Sequence, residues 1–264
     1  MSDINPLAFV HSNAKIGKNT VISPFAYIAG DVEIGENCYI GPHVCIHEGA
    51  RIGNNNKLYD GCIISARPQD FRWKGEDTKV IIGDNNTIRE YVIINRSIHK
   101  DKATIIGNDS FIMAQSHIAH DSEIGNFVVI GNSVKIAGYC KIGDYSIMSS
   151  SSMVHEHCEI GKWVLIKGGC RVNGHVPPYT IMAHNPIKYF GVNAYIMKFG
   201  NFSEELIDDI AKCYRHIYQS NTSPFNALIR VRQDIPDGPE RQAVLDFVEG
   251  HDHRIAALNV ESKI

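Results

Sequence analysis

Aliphatic residues recur every six positions over most of this 264-residue chain. The register runs from Ile16 to Ile64, restarts at Ile82, and holds from Ile106 to Val172. The position four residues after each aliphatic is mostly small, and glycine often follows the aliphatic directly. An α-helix cannot use this period, because six residues turn it by about 600° and scatter the apolar positions around its surface. A prism of short parallel strands can, since each six-residue unit makes one flat side and three units make one coil.

The period therefore predicts a parallel β-helix, in which the aliphatic and the small residue of each unit both point inward. Each aliphatic would stack on its equivalent 18 residues later, in the next coil. One coil cannot bury its own apolar face, so the coils must stack and the two ends need caps. The period by itself does not set the hand of the coil.

Two interruptions of the repeat predict surface loops, at about residues 66–79 and 97–103. Both carry polar or aromatic residues that a coil side would not have, and loops of this kind often carry binding sites. The repeat ends near Val176, where the pair Pro177-Pro178 stops strand pairing.

Beyond this point the apolar period becomes helical. Ser203 is a candidate N-cap that is followed by two glutamates, which the helix dipole favours in the first turn. Ser223 and Pro224 predict a second helix that ends near Gln233, and Pro239 predicts a third. The prediction is thus a β-helical domain over residues 1–190 and a small C-terminal helical domain over 191–264.

Composition and charge limit the kinds of partner and the cellular compartment that we expect for this chain. The net charge of −3 argues against a nucleic-acid partner, and no apolar run reaches the roughly 20 residues of a membrane span. The first ten residues do not form a signal peptide. Seven cysteines occur without a CxxC pair, which predicts a reducing, cytoplasmic setting. Five of them occupy the small inward position: Cys38, Cys62, Cys140, Cys158 and Cys170.

The densest group of chemistry-bearing side chains is His117, His120 and Asp121. Ile118 is an inward aliphatic, so His120 falls near a corner and points outward, and the residue 18 later is Gly138. An imidazole beside bare backbone suits a general base next to an oxyanion-binding N–H, and Asp121 would hold the imidazole tautomer.

Two other interpretations of these histidines stay open at this point. They can be ordinary surface residues of a polar coil, or metal ligands shared between subunits, since His-x-x-His on one flat strand does not easily chelate. His155, Glu156 and His157 form a second outward cluster with the same ambiguity. No Walker loop, Rossmann fingerprint or nucleophile elbow is present, so we predict neither a cofactor nor a covalent intermediate.

Motifs along nearly the whole chain resemble the UDP-N-acetylglucosamine acyltransferases that begin lipid A biosynthesis. The segments that carry the resemblance are PQD at 68–70, IRE at 88–90, INR at 94–96, HIAHD at 117–121, AG at 137–138, GGC at 168–170, VPPY at 176–179 and FGVN at 190–193. The pairing of IAHD with AG one coil later is specific, whereas the repeat alone is shared with other hexapeptide proteins.

The resemblance implies a left-handed coil and a homotrimer with active sites between subunits. It implies transfer of a (R)-3-hydroxyacyl chain from acyl carrier protein to the 3-hydroxyl of the UDP-sugar. His120 would be the general base, Asp121 its orienting partner and the Gly138 N–H the oxyanion donor. Gly168 would lie at the acyl-chain pocket and leave room for a long chain. The residues implied to contact substrate are Asp70, Arg72, His117, His155, Glu156 and Asn193.

The chain also departs from the family pattern. Tyr195 stands where an acidic residue is usual, Lys198 is what remains of a basic run, and Tyr139 replaces a usual histidine. These departures leave open an acyltransferase acting on another nucleotide-sugar or acyl donor. The alternatives of other classes are a metal lyase of the γ-carbonic-anhydrase type and a non-catalytic assembly module.

Overall fold

A computed structural model describes residues 2–220, 222–251 and 254–257, which fold into a long stack of short strands followed by helices. The strands are β1 (Asp3–Ile4), β2 (Phe9–Val10), β3 (Lys15–Ile16), β4 (Val21–Ile22), β5 (Tyr27–Ile28), β6 (Val32–Ile34), β7 (Tyr39–Ile40), β8 (Cys45–Ile46), β9 (Ala50–Ile52), β10 (Lys57–Leu58), β11 (Ile63–Ala66), β12 (Lys79–Ile82), β13 (Thr87–Ile88), β14 (Ile93–Asn95), β15 (Ala103–Ile106), β16 (Phe111–Ile112), β17 (His117–Ile118), β18 (Glu123–Ile124), β19 (Val129–Ile130), β20 (Lys135–Ile136), β21 (Lys141–Ile142), β22 (Ile147–Met148), β23 (Met153–Val154), β24 (Glu159–Ile160), β25 (Leu165–Ile166), β26 (Arg171–Val172), β27 (Thr180–Ala183) and β28 (Lys188–Val192). The helices are α1 (Ala194–Phe199), α2 (Glu204–Gln219), α3 (Pro224–Asp234) and α4 (Pro239–Gly250).

The strands form three sheets, because each strand from β1 to β26 pairs in parallel with a strand three places away along the chain. The first sheet has eleven strands from β1 to β28, the second has nine from β2 to β26, and the third has eight from β3 to β24. Equivalent aliphatics face one another in register, as Ile112 does with Ile130. The architecture is the predicted left-handed parallel β-helix with a small helical part at its C-terminal end.

The predicted interior is confirmed. The repeating aliphatics from Ile22 to Val172 are 0–5% exposed, and they form one continuous core with the small inward residues. The five cysteines of the small position are all buried and free. The two breaks also fall where the period fails, between β11 and β12 and between β14 and β15.

The C-terminal region holds three elements that the pattern did not predict: β27, β28 and α1. After Pro177-Pro178, β27 continues the first sheet in parallel, and β28 then turns back antiparallel to it. The short helix α1 follows directly. The predicted division between residues 190 and 191 falls inside β28 and stays a prediction.

The three predicted helices are confirmed as α2, α3 and α4. The Ser203 hydroxyl accepts the N–H of Leu206 at 3.1 Å, and the Ser223 hydroxyl accepts that of Asn226 at 3.2 Å. These helices share a second apolar core, and Ile255 bridges to His175 at the end of the prism. No helix within the described ranges is both long and apolar enough to cross a membrane.

Candidate active site

His120 lies at the corner that joins β17 of the second sheet to β18 of the third. Its Nδ1 is 2.9 Å from an oxygen of Asp121, and its Nε2 is 3.3 Å from an oxygen of Asp70. The predicted corner position is where His120 lies, but the side chain does not reach solvent as an outward direction suggests, since it is only 6% exposed. The imidazole does leave the prism, but the first break brings Asp70 over it, and the Tyr139 ring meets its edge at 5.1 Å between centroids.

Asp121 is fixed from several directions. Its backbone is left-handed, with φ of 58°, a conformation that aspartate tolerates better than most residues. Its N–H donates to the Thr104 hydroxyl at 2.8 Å, while its carboxylate accepts the N–H of Ile98 at 3.1 Å and the hydroxyl of Ser97. Burial disfavours the charged form, but the hydrogen bonds from His120, Ser97 and Ile98 outweigh it and lower the pKa of Asp121.

Gly138 lies one coil beyond His120, where the 18-residue spacing predicts it. A Cβ at this position would lie 2.6 Å from Cε1 and 2.8 Å from Nε2 of His120, so only glycine lets the imidazole sit there. The carbonyl of Gly138 accepts the N–H of His157 at 3.1 Å. Within the described residues, the N–H of Gly138 donates to no other group, and it remains available beside the imidazole.

Arg72 joins the first break to the second outward cluster. Its guanidinium donates to Asp70 at 2.6 Å and to Glu156 at 3.0 Å, and it lies 5.6 Å from the centre of the Tyr139 ring. The hydrogen bonds that Arg72 donates to Asp70, from its side chain and its backbone N–H, hold the pKa of Asp70 well below its usual range. The first break is thereby tied across the cleft to the coil that carries Glu156.

Among the residues that the structure describes, one group of side chains has the donor atoms for a metal ion. Ligand atoms of Asp70, His120 and Glu156 all lie within 4.8 Å of one another, a donor set that zinc accepts. The Arg72 guanidinium donates to both carboxylates of this set, so a positive charge already compensates them.

His117 packs against the same cleft. Its Nε2 is 2.6 Å from the amide oxygen of Asn95, whose nitrogen donates to the Arg67 carbonyl, so Nε2 is the protonated nitrogen. Burial, followed by the charge of Lys135, lowers the pKa of His117, which favours the neutral ring.

A cavity of about 520 Å³ opens on the outer face of the second sheet between these residues. The predicted site residues that line it are His117, His120, Gly138, His155 and Glu156. Asp70, Arg72 and Asp121 do not line it, but each contacts a residue that does. Eight of the ten predicted residues are thus brought together.

Two predicted site residues lie elsewhere in this chain. Asn193 is 1% exposed, and its side-chain amide donates to the Trp163 carbonyl at 3.0 Å. Gly168 lies at the corner between β25 and β26, where a Cβ would come within 3.2 Å of the Ser150 carbonyl.

Sequence reasoning missed several polar residues of the site. Asn95 and Ser97 flank the start of the second break, and neither position follows from the six-residue period. His99 of the same break lies 2.9 Å from the Tyr139 hydroxyl through its Nε2. The sequence signal for Ser97 and His99 was the break itself, which marks a loop without giving its path, whereas Asn95 lies in the INR segment of the resemblance, to which no role was assigned.

Two family models match the chain. The model described as "Udp N-acetylglucosamine O-acyltransferase; Domain 2" matches residues 175–256, and "Bacterial transferase hexapeptide (six repeats)" matches residues 13–48 and 103–138.

Curated relatives match over nearly the full length. The acyl-[acyl-carrier-protein]–UDP-N-acetylglucosamine O-acyltransferase of Thermodesulfovibrio yellowstonii is 37% identical over 95% of this chain and 98% of its own. The protein of the same name from Paraburkholderia phymatum is 39% identical over 94% of this chain and 97% of its own.

Solved structures agree. The UDP-N-acetylglucosamine acyltransferase of Bacteroides fragilis 9343 superposes with a TM-score of 0.93 at 43% identity, covering 95% of this chain and 98% of that one. The enzyme of Francisella novicida superposes with a TM-score of 0.91 at 33% identity, covering 96% and 93%.

Proposed function

Since the chain belongs to the family of acyl-[acyl-carrier-protein]–UDP-N-acetylglucosamine O-acyltransferases, we propose that it acylates the 3-hydroxyl of UDP-N-acetylglucosamine. The donor is a (R)-3-hydroxyacyl chain on acyl carrier protein, and the reaction is the first step of lipid A biosynthesis. The observation that carries the mechanism is the imidazole of His120, which is bonded to Asp121 and packs against Gly138, whose N–H has no acceptor among the described residues.

His120 acts as the general base. Its Nδ1 donates to Asp121, which leaves Nε2 as the acceptor that faces the cavity. Asp70 lies 3.3 Å from that nitrogen, so the reacting sugar hydroxyl donates to the base while the carboxylate of Asp70 accepts from a neighbouring donor of the sugar. Positioning of this kind is what makes general-base catalysis effective.

These positions allow the acyl transfer to proceed through a tetrahedral oxyanion. The sugar oxygen bonds to the thioester carbonyl carbon while its proton passes to Nε2 of His120. The carbonyl oxygen becomes an oxyanion that accepts the Gly138 N–H. The oxyanion then collapses, the carbon–sulfur bond breaks, and the leaving sulfur takes the proton from His120. The products are the 3-O-acyl sugar nucleotide and the free thiol of the carrier protein.

The remaining residues divide by position. Asp70, Arg72, His117, His155 and Glu156 surround the cavity and hold the sugar. We assign the segment at Asn193, the residue before α1, to the nucleotide end, although the Asn193 side chain itself is buried against the Trp163 carbonyl. We assign Gly168 to the acyl-chain pocket. Both lie away from His120 in one chain, so a neighbouring subunit would supply them.

A homotrimer provides that arrangement. The outer face of the first sheet carries an apolar column of partly exposed residues that stack in register: Phe111, Val129, Ile147 and Leu165. The outer face of the third sheet carries Glu123, Lys141 and Glu159 instead. Burying the apolar column between copies in a closed ring leaves the charged face in water. The buried free thiols fit a cytoplasmic setting.

The test is a direct assay. Purified protein is incubated with UDP-N-acetylglucosamine and a panel of (R)-3-hydroxyacyl carrier-protein thioesters, and products are identified by mass. Repeating the assay with the same acyl chains on coenzyme A identifies the donor. Repeating it with other nucleotide-sugars identifies the acceptor. We expect a UDP-linked ester, and the absence of any ester with every donor would overturn the proposal.

His120→Ala tests the base. A general base contributes typically about 10²–10⁴-fold, so kcat should fall by that factor. The matched control is His43→Ala, which removes an exposed corner histidine that stacks on Phe25 far from the cleft. Full activity in a folded His120→Ala protein would refute the assignment.

A further inference from the structure

Ser97 sits behind the catalytic pair, in the second break of the repeat. It is 0% exposed, although it begins a loop that is otherwise largely at the surface. Its hydroxyl donates to one carboxylate oxygen of Asp121, and it accepts the N–H of His99 at 2.9 Å. The carbonyl of His99 is also within reach at 3.1 Å, but a hydroxyl has one proton and a carboxylate is the stronger acceptor.

The two oxygens of Asp121 have separate partners. Oδ2 receives Nδ1–H of His120 and the N–H of Ile98. Oδ1 receives the Ser97 hydroxyl, and within the described residues it has no other donor. Without Ser97, this oxygen would be buried and charged with no hydrogen-bond donor. A carboxylate in that position rotates towards another donor or becomes protonated.

The orientation of the base depends on this carboxylate. A rotated Asp121 no longer accepts Nδ1–H of His120 in line, and the imidazole can then present the wrong tautomer or tilt toward Gly138. A misplacement of the order of 1 Å costs about a hundredfold in rate. The neighbouring Thr104 fixes the backbone of Asp121 but does not reach its carboxylate.

We propose that Ser97 is a positioning residue for the transfer reaction, which orients the base His120 by fixing the carboxylate of Asp121. The inference rests on the proposed function. It adds the second break to the catalytic machinery, whereas the first break supplies Asp70 and Arg72 to the substrate side.

The experiment measures kcat, KM and melting temperature for Ser97→Ala. We expect kcat to fall about tenfold to a hundredfold, with the KM for UDP-N-acetylglucosamine within about twofold of wild type, because no sugar contact is lost. Ser97→Cys keeps a similar volume and offers only a weak S–H donor, so it should retain an intermediate kcat. It also serves where the alanine variant does not fold.

The matched control is Ser146→Ala. Ser146 is also 0% exposed, and its hydroxyl donates to the Gly161 carbonyl at 2.8 Å, away from the cleft. It should lower the melting temperature and leave kcat unchanged. If Ser97→Ala behaves in the same way, Ser97 is only a packing residue and the inference is wrong.

A double-mutant cycle separates this inference from the proposed function. In an Asp121→Ala background, Ser97→Ala should reduce kcat no further, because Ser97 acts through Asp121. Multiplied losses would overturn the inference while leaving the base intact. Full activity of His120→Ala would instead overturn the proposed function itself.

Discussion

The contact between Gly138 and His120 gives the sharpest test of the site, through the substitution Gly138→Ala. The new Cβ would lie 2.6 Å from Cε1, 2.8 Å from Nε2 and 3.2 Å from Nδ1 of His120. Carbon atoms rest at about 3.5–4.0 Å, so the imidazole must move by roughly 1 Å. It cannot move freely, because Asp121 accepts its Nδ1–H and the Tyr139 ring lies against it.

Two effects of different kind should follow. Overpacking a filled site typically costs about 1–3 kcal/mol, which should lower the melting temperature. The displaced base should lower kcat by about a hundredfold. Alanine keeps the backbone N–H of residue 138, so the loss of rate measures the position of His120 and not the loss of the oxyanion donor.

The assay is steady-state kinetics with both substrates, together with thermal melts of four proteins: wild type, each single variant and the double variant His120→Ala/Gly138→Ala. The three near contacts of the added Cβ are all atoms of His120. Gly138→Ala should therefore cost little further stability once His120 is alanine. Near-wild-type kcat in the single variant, or an equal loss of melting temperature in both backgrounds, would refute the packing described here.

Three further outcomes are expected. Cys140 is 0% exposed in the small inward position. Cys140→Phe should therefore lower the free energy of unfolding by about 1–3 kcal/mol or more, whereas Cys140→Ala should have a small effect. Equal melting temperatures of the two variants would contradict the predicted register. Burial, and then the charges of His251 and Arg254, lower the pKa of His175 from 6.5 to about 4. As the pH falls, the unfolded chain takes up this proton before the folded chain does. The free energy of unfolding is therefore expected to decrease as the pH falls from 6.5 towards 4. Because His175 is partly exposed, we discount the effect to about 1–2 kcal/mol, and melts of His175→Gln across this range should show a shallower loss than wild type. Sedimentation at micromolar protein should give a trimer of 29.4 kDa chains, and a clean monomer would remove the intersubunit site.

The six-residue period determined the prism, its interior and the alignment of the coils. It could do so because each strand pairs with its equivalent one coil later. The place of a residue within its six-residue unit therefore fixes which side of the prism it occupies and which residue it stacks on. The same phase put His120 and Gly138 side by side, 18 residues apart, and the capping residues Ser203 and Ser223 marked two helix starts.

The tertiary structure alone decided how the site is closed. Asp70 reaches His120 from 50 residues earlier, and Arg72 reaches Glu156 across 84, through a loop that has no period. Ser97 reaches Asp121 across 24 residues in the same way. These contacts bury the histidine that phase alone had placed in solvent. The six-residue repeat determines only the positions of the residues that belong to it. The path of each break depends instead on the hydrogen bonds and ion pairs that its side chains form with the β-helix.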